Sequence, residues 1–184
     1  MKCPSSPHWI ISLGAFFMAL AVSQPASAGG PETSIQTDYL MTLQAPLDAP
    51  QAIDQSLMIY NVQPGGWVEG PRIKGKLLGP GADWLRVMPS GVLRLDVRAT
   101  IQTDDGELIY VSYGGAIQCS KEQADRLNAG EQLKADDCYF VTAPTFQTKS
   151  EKYGWLNAVQ AAGKMVSLKV GEGSHVRYNI FALK

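Results

Sequence analysis

The stretch that most constrains this chain is residues 92–115, VLRLDVRATIQTDDGELIYVSYGG. Leu93, Leu95, Val97, Ala99 and Ile101 alternate with Arg94, Asp96, Arg98, Thr100 and Gln102. A period of two sends successive side chains to opposite faces, so this is a strand with one apolar face. Asp105-Gly106 supplies the turn: glycine tolerates positive φ, and a two-residue type I′ turn twists with the strands it joins. With Asp104 facing Glu107, Arg98 falls opposite Tyr113, Asp96 opposite Gly115, Ile101 opposite Tyr110 and Ala99 opposite Ser112. The expected hairpin gathers Asp96, Arg98 and Tyr113 on one face, with Gly115 leaving room beside them.

Similar strand signals recur at 39–45, 56–62, 67–69, 72–78, 85–88, 139–146, 155–162, 165–170 and 175–183. Turn formers punctuate them, among them Pro64-Gly65-Gly66, Gly79-Pro80-Gly81, Pro89-Ser90-Gly91 and Gly171-Glu172-Gly173. Many short strands with little helix predict an all-β domain. An antiparallel barrel is preferred to a curled sandwich, because closure leaves no open edge and several strands are polar on both faces, as a lined cavity requires.

The N-terminus is read separately. Lys2, an apolar run over 9–22 and the small residues Ala26, Ser27 and Ala28 form a Sec-type signal peptide over 1–28, with cleavage expected before Gly29. The run falls short of the roughly 20 apolar residues a spanning helix needs, so no membrane attachment is expected after cleavage. Cys3 precedes the apolar run and is misplaced for lipid attachment. A periplasmic or secreted chain of 156 residues is left, with 29–37 a loose leader and 38–184 one domain. Its 15 basic residues against 17 acidic ones include no basic run, which excludes nucleic acid as a natural partner.

Two cysteines remain, Cys119 and Cys138, and an exported chain makes a disulfide the first expectation and a pair of free thiols the rival one. Between them Ser120 and Gln123 form a capping box and Gly130 a left-handed stop, so one short helix is predicted there. A bridge closing this loop stabilises by about 3 kcal/mol in the chain-entropy model.

Four blocks in order, GPRIKGKLLGPGADWLRV, LRLDVRATIQTDDGELIYVSYGG, YFVTAPTFQT and KYGWLNAV, resemble the UPF0311 family, also called the DUF3237 domain. The resemblance spans roughly 39–183, with Pro80 standing where the family usually has glycine. It implies a calycin-like β-barrel and names no reaction. The signal peptide and cysteine pair are not implied by it.

Chemistry must be sought in the residues themselves. Once His8 leaves with the signal, His175 is the one histidine, and it stands in no G-x-S-x-G or similar context. No metal set of three or four nitrogen or sulfur ligands can be assembled, and no strand-to-helix phosphate loop exists, so neither metal nor cofactor is expected. What remains is a polar set within apolar strands. Asp83 is the candidate general base, with Arg98, Tyr153 and Asn157 as donors to a developing oxyanion; Arg72, Trp84, Asp96, Tyr113 and Trp155 are candidate substrate contacts. In YGWLN a strand period puts Tyr153, Trp155 and Asn157 on one face and Gly154, Leu156 and Ala158 on the other.

Each has a structural alternative. Asp83 can close a turn through a side-chain to backbone hydrogen bond, Asp96 and Arg98 can form an ion pair on a solvated face, Asp104 can serve the hairpin, and Trp67 and Trp84 can be core. Three functions compete: a cofactor-free isomerase or lyase acting beside a carbonyl, a lipocalin-like carrier or sensor of a small-molecule ligand, and a structural or assembly module. A homodimer is possible under each. The enzyme requires Asp83, Arg98, Tyr153 and Asn157 to converge on one cavity.

Overall fold

The computed structural model describes residues 34–184. The expected signal peptide and most of the expected leader lie outside them. The chain enters β1 (Thr37–Pro46) directly, so the leader's last residue is already strand. The short β2 (Gln51–Ala52), β3 (Leu57–Asn61) and β4 (Trp67–Glu69) follow, then the long β5 (Lys74–Val87). Next come β6 (Leu93–Thr103), β7 (Leu108–Gln118), the helix α1 (Lys121–Asn128) and β8 (Leu133–Lys134). The last strands are β9 (Tyr139–Gln147), β10 (Ala161–Lys169) and β11 (His175–Leu183).

Eight of these strands close a ring in the order β5-β4-β1-β11-β10-β9-β7-β6, and β6 pairs back onto β5. Every strand pairing is antiparallel. Closure removes the open edges of the main sheet, and an eight-stranded barrel is just wide enough to be filled by side chains or to hold one small ligand. The inward face is the apolar one the alternation predicts: Leu95, Val97, Ala99 and Ile101 of β6 are buried, while Arg94, Asp96 and Arg98 are exposed.

Two expected strands, 72–78 and 85–88, are one. β5 runs through Gly79-Pro80-Gly81, whose Gly79–Pro80 peptide is cis, and its register with β6 shifts between Leu78 and Ala82. The shift lets one strand serve two partners: Lys74–Lys76 pair with β4, and Ala82–Arg86 with β3. Asp83 and Trp84 are therefore in mid-strand and close no turn.

The hairpin forms with a different loop. Thr103 and Glu107 are its closing pair, the Gly106 N–H donates to the Thr103 carbonyl, and Gly106 takes φ +90°. This is a three-residue loop, a β-turn followed by a left-handed glycine. Thr103 fixes it, because its Oγ1 accepts from the Glu107 N–H at 2.9 Å. The pairing moves by one residue, so Arg98 faces Ser112, Val97 faces Tyr113 and Ile101 faces Ile109. A slip of one exchanges the faces of a strand, and Tyr113 goes inside while Asp96 and Arg98 stay outside.

The helix α1 forms as its caps dictate: the Ser120 side chain accepts from the Gln123 N–H, the Gln123 side chain accepts from the Ser120 N–H, and Gly130 follows at φ +84°. Cys119 and Cys138 are bonded, with Cα atoms 4.7 Å apart, so the disulfide joins the end of β7 to the start of β9 across the helix.

Candidate functional site

The C-terminal half of β5 carries Asp83 and Leu85 inward and Trp84 outward, as strand alternation requires. Asp83 and Leu85 line a chamber of about 90 Å³ inside the barrel, among Tyr60, Tyr113, Phe140 and Tyr178. The chamber gives onto a mouth of about 900 Å³, bordered by Ala124 and Leu127 of α1, Asp48, and the turn between β10 and β11. Tyr60, Leu85, Leu93 and Leu127 line both, so the two form one continuous space at the helix-bearing end.

Among the described residues Asp83 is the one charged side chain lining the chamber. Its neighbour strand leaves it a partner: the β5–β6 register passes from Asp83 opposite Val97 to Arg86 opposite Arg94, and in that interval the Asp96 N–H donates to Asp83 Oδ1 at 3.0 Å. The carboxyl is still held up to about 6, because burial disfavours its charge and outweighs that hydrogen bond, with the Asp96 charge adding to the rise. Burial also raises the Tyr60 hydroxyl, and the Asp83 charge raises it further. Tyr113 and Tyr178 are raised for the same first reason, and their rings meet edge to face with centroids 5.9 Å apart. Phe140 packs on Tyr178 in the same manner at 5.4 Å. An acid that can be ionised or protonated near neutral pH, set among phenols in an apolar chamber, has the make-up of a proton-transfer or ligand-anchoring site.

The other expected residues do not converge there. On the outer wall Arg98 Nη1 meets Asp96 Oδ1 at 3.0 Å, and its guanidinium lies 5.3 Å from the Trp84 ring. Both charges are about half exposed, at 49% and 55%. This is the solvated ion pair of the alternative reading, and such pairs are worth little. Of the three residues expected to share a face, Tyr113 alone reaches the chamber.

Tyr153, Trp155, Asn157 and Arg72 stand at the opposite end, where β6 turns into β7 and β9 passes to β10. The strand expected over 155–162 is a 3₁₀ turn, Gly154–Ala158, followed by β10. Tyr153, Trp155 and Asn157 therefore do not share a strand face. Tyr153 is buried and its hydroxyl donates to Asp105 Oδ1 at 3.1 Å, beside the Lys152–Asp105 ion pair. Asn157 accepts from the Thr148 N–H at 2.8 Å and donates to the Thr148 carbonyl at 2.9 Å. Arg72 stacks its guanidinium 3.9 Å from the Trp155 ring. Leu156 is completely buried, so the turn plugs the barrel with its apolar side chain and spends its polar ones on the loops around it.

The residues missed were Tyr60, Phe140 and Tyr178. Val176, Tyr178 and Ile180 alternate with Arg177 and Asn179, so Tyr178 was visible as an inward position, but nothing in one strand tells which strands will bring it to an aspartate. Among the described residues no three His, Cys, Asp or Glu side chains group to hold a metal. His175 is engaged at both ring nitrogens, by Ser167 Oγ at 2.7 Å and the Gly173 carbonyl at 2.8 Å.

Comparison with known proteins agrees with this architecture. A UPF0311 protein of Rhodopseudomonas palustris strain TIE-1 is 32% identical over 126 residues, 67% of this chain and 82% of that protein. The crystal structure of a conserved protein of unknown function from R. palustris superposes with a TM-score of 0.73 at 25% identity, covering 83% of this chain and 99% of that one. The hydroalkoxylation enzyme phnH of Penicillium herquei is 28% identical over 158 residues, 84% of this chain and 86% of that protein. An enzyme structure from the same fungus has the fold at a TM-score of 0.56 and 22% identity, covering 85% and 99%. The family model described as a protein of unknown function, DUF3237, matches residues 35–183, and the chain belongs to that family.

Proposed function

We propose that this chain binds a small, largely apolar molecule in the chamber at its helix-bearing end and transfers a proton there through Asp83, as a cofactor-free isomerase or lyase. The observation that carries the reading is one acidic group in an otherwise apolar and phenolic chamber. A carboxyl held up to about 6 is poised to give and take protons near neutral pH. The relative named for hydroalkoxylation supports the class of chemistry, since adding an O–H across a double bond moves a proton and needs no redox partner. In this reading Tyr113, Tyr178 and Tyr60 take the donor roles first expected of Arg98, Tyr153 and Asn157. The signal peptide expected over 1–28 supports work in the periplasm or outside the cell, and the reading takes a small molecule as the partner in place of nucleic acid or membrane.

The test separates turnover from binding. Occupancy is read with the neutral fluorophore N-phenylnaphthylamine, and turnover by incubating alkenyl phenols and enones and separating products of unchanged mass. Asp83→Asn is expected to keep the fluorophore and lose turnover. Turnover that survives in Asp83→Asn refutes the assignment. Fluorophore binding by the wild type with no turnover of any compound favours the carrier, whose supporting observation is the wide mouth under α1.

A further inference from the structure

The charge pattern of the open end narrows the ligand further than its volume does. Among the described residues no Lys, Arg or His lines the chamber or its mouth. The acids there are Asp83 within and Asp48 at the rim. A carboxylate, sulfate or phosphate entering this space meets two like charges and no counter-ion, so it loses its hydration without compensation. A cation meets the reverse. Tyr60, Tyr113, Phe140 and Tyr178 surround the approach to Asp83, and aromatic faces attract an ammonium through their quadrupoles, most strongly when water is excluded.

Size points the same way. The inner chamber, at about 90 Å³, suits a head group of a few heavy atoms, while the mouth of about 900 Å³ accommodates a body of drug-like size. Asp83 lines the chamber and not the mouth, so the charged head goes in first and the apolar body stays beneath α1.

We propose that the ligand of this end is an apolar amine whose ammonium enters the chamber, pairs with Asp83 and is caged by Tyr60, Tyr113 and Tyr178. The inference rests on the binding half of the preceding reading and not on catalysis. The groups that face Asp83 are Asp96 from β6, Tyr60 from β3, Tyr113 from β7 and Tyr178 from β11. None is cationic, so an arriving ammonium is the first positive charge Asp83 meets in the chamber. Amine binding then favours the ionised carboxyl, and it strengthens as pH rises through about 6.

The experiment uses three probes with one body: para-tert-butylbenzylamine, the matching benzyl alcohol and the matching benzoate, titrated by calorimetry between pH 5 and pH 8, on the order of the range over which Asp83 ionises. The amine is expected to bind about tenfold tighter than the alcohol at the alkaline end, the benzoate weakest, with the amine's advantage shrinking toward pH 5. Asp83→Asn is expected to erase the amine's advantage. Tyr60→Phe keeps the aromatic face and the advantage, whereas Tyr60→Leu reduces it, which supplies a second route should Asp83→Asn fail to fold. If the alcohol binds and the amine does no better at any pH, or the benzoate binds best, the amine class is overturned while the cavity remains a ligand site. If none of the three binds, the amine inference and the binding reading fall together.

Discussion

At the open end of the barrel Asp83 sits among Tyr60, Tyr113 and Tyr178; at the closed end Asp105 meets Tyr153 and Lys152. Both are aspartates beside phenols, and they are driven in opposite directions. Asp83 is held up to about 6 by burial, with a single backbone N–H to relieve it. Asp105 is drawn down to about 2, first by its hydrogen bond from Lys152 and then by the hydroxyls of Thr103 and Tyr153. The donors at the closed end satisfy the carboxylate and leave it nothing to do. The open end withholds them, which costs stability and leaves an acid free to act. A strained acid in a cavity is a functional candidate, and a satisfied one on a rim is a fastening.

The sharpest way to break this contrast is to damage the closed end and ask whether the open end notices. Leu156→Ala removes a completely buried side chain from the plug and is expected to cost about 3 to 4 kcal/mol in urea unfolding. Fluorophore affinity of the folded fraction should stay as in the wild type. A large loss of affinity would mean that the two ends are one cooperative site. Next in size is the disulfide: Cys119→Ser with Cys138→Ser should cost about 3 kcal/mol. Here the open end should respond, because the bridge anchors the helix that borders the mouth, and stopped-flow release of the fluorophore should quicken.

Asp83→Asn sharpens the comparison by its sign. The folded state holds the Asp83 proton to about pH 6 while the unfolded chain releases it near its ordinary value of 3.8, so the wild type loses stability as pH rises from 4 to 6. Asparagine keeps an oxygen to accept from the Asp96 N–H and carries no charge to desolvate. The variant should be more stable than the wild type by about 3 kcal/mol at pH 7 and nearly equal to it at pH 4. A variant less stable than the wild type at neutral pH would show that the Asp83 carboxylate is fastened, as Asp105 is.

The same two ends divide what was legible in the sequence from what was not. The alternation in 92–102 placed the inward face of β6 correctly, and Ser120, Gln123 and Gly130 placed α1, because each depends on neighbours within a few residues. Asp83 was singled out as an acid in an apolar strand, and it does line the chamber. The partners proposed for it depended on long-range geometry. One residue in the loop between β6 and β7 decides whether Arg98 or Val97 faces Tyr113, and that residue was settled by the Thr103 hydroxyl and not by Asp105-Gly106 alone. YGWLN carries a period-two pattern by accident: Leu156 plugs the barrel from a 3₁₀ turn, and a turn of that length has no sequence period of its own. Gly79-Pro80-Gly81 reads as a break, yet β5 absorbs it as a register shift and continues.

The smallest expected effect tests the closed end directly. Asp105 is ionised more readily in the folded state than in the unfolded chain, so its contribution is present above pH 4 and is lost as pH falls toward 2. Asp83 acts with the opposite sign between pH 4 and 6. Together they give the wild type a stability maximum near pH 4, with urea midpoints falling on either side. Asp83→Asn should flatten the alkaline side alone and Asp105→Asn the acid side alone. The acid slope of Asp105→Asn should shrink and not vanish, because Asp54 is also drawn down, first by the backbone N–H of Ser56. Added salt should reduce the Asp105 effect, since its Lys152 partner is 64% exposed and open to screening, and should leave the Asp83 effect, which comes from burial, nearly unchanged. Equal salt sensitivity on both sides of the maximum would remove the distinction between a buried acid and a fastened one.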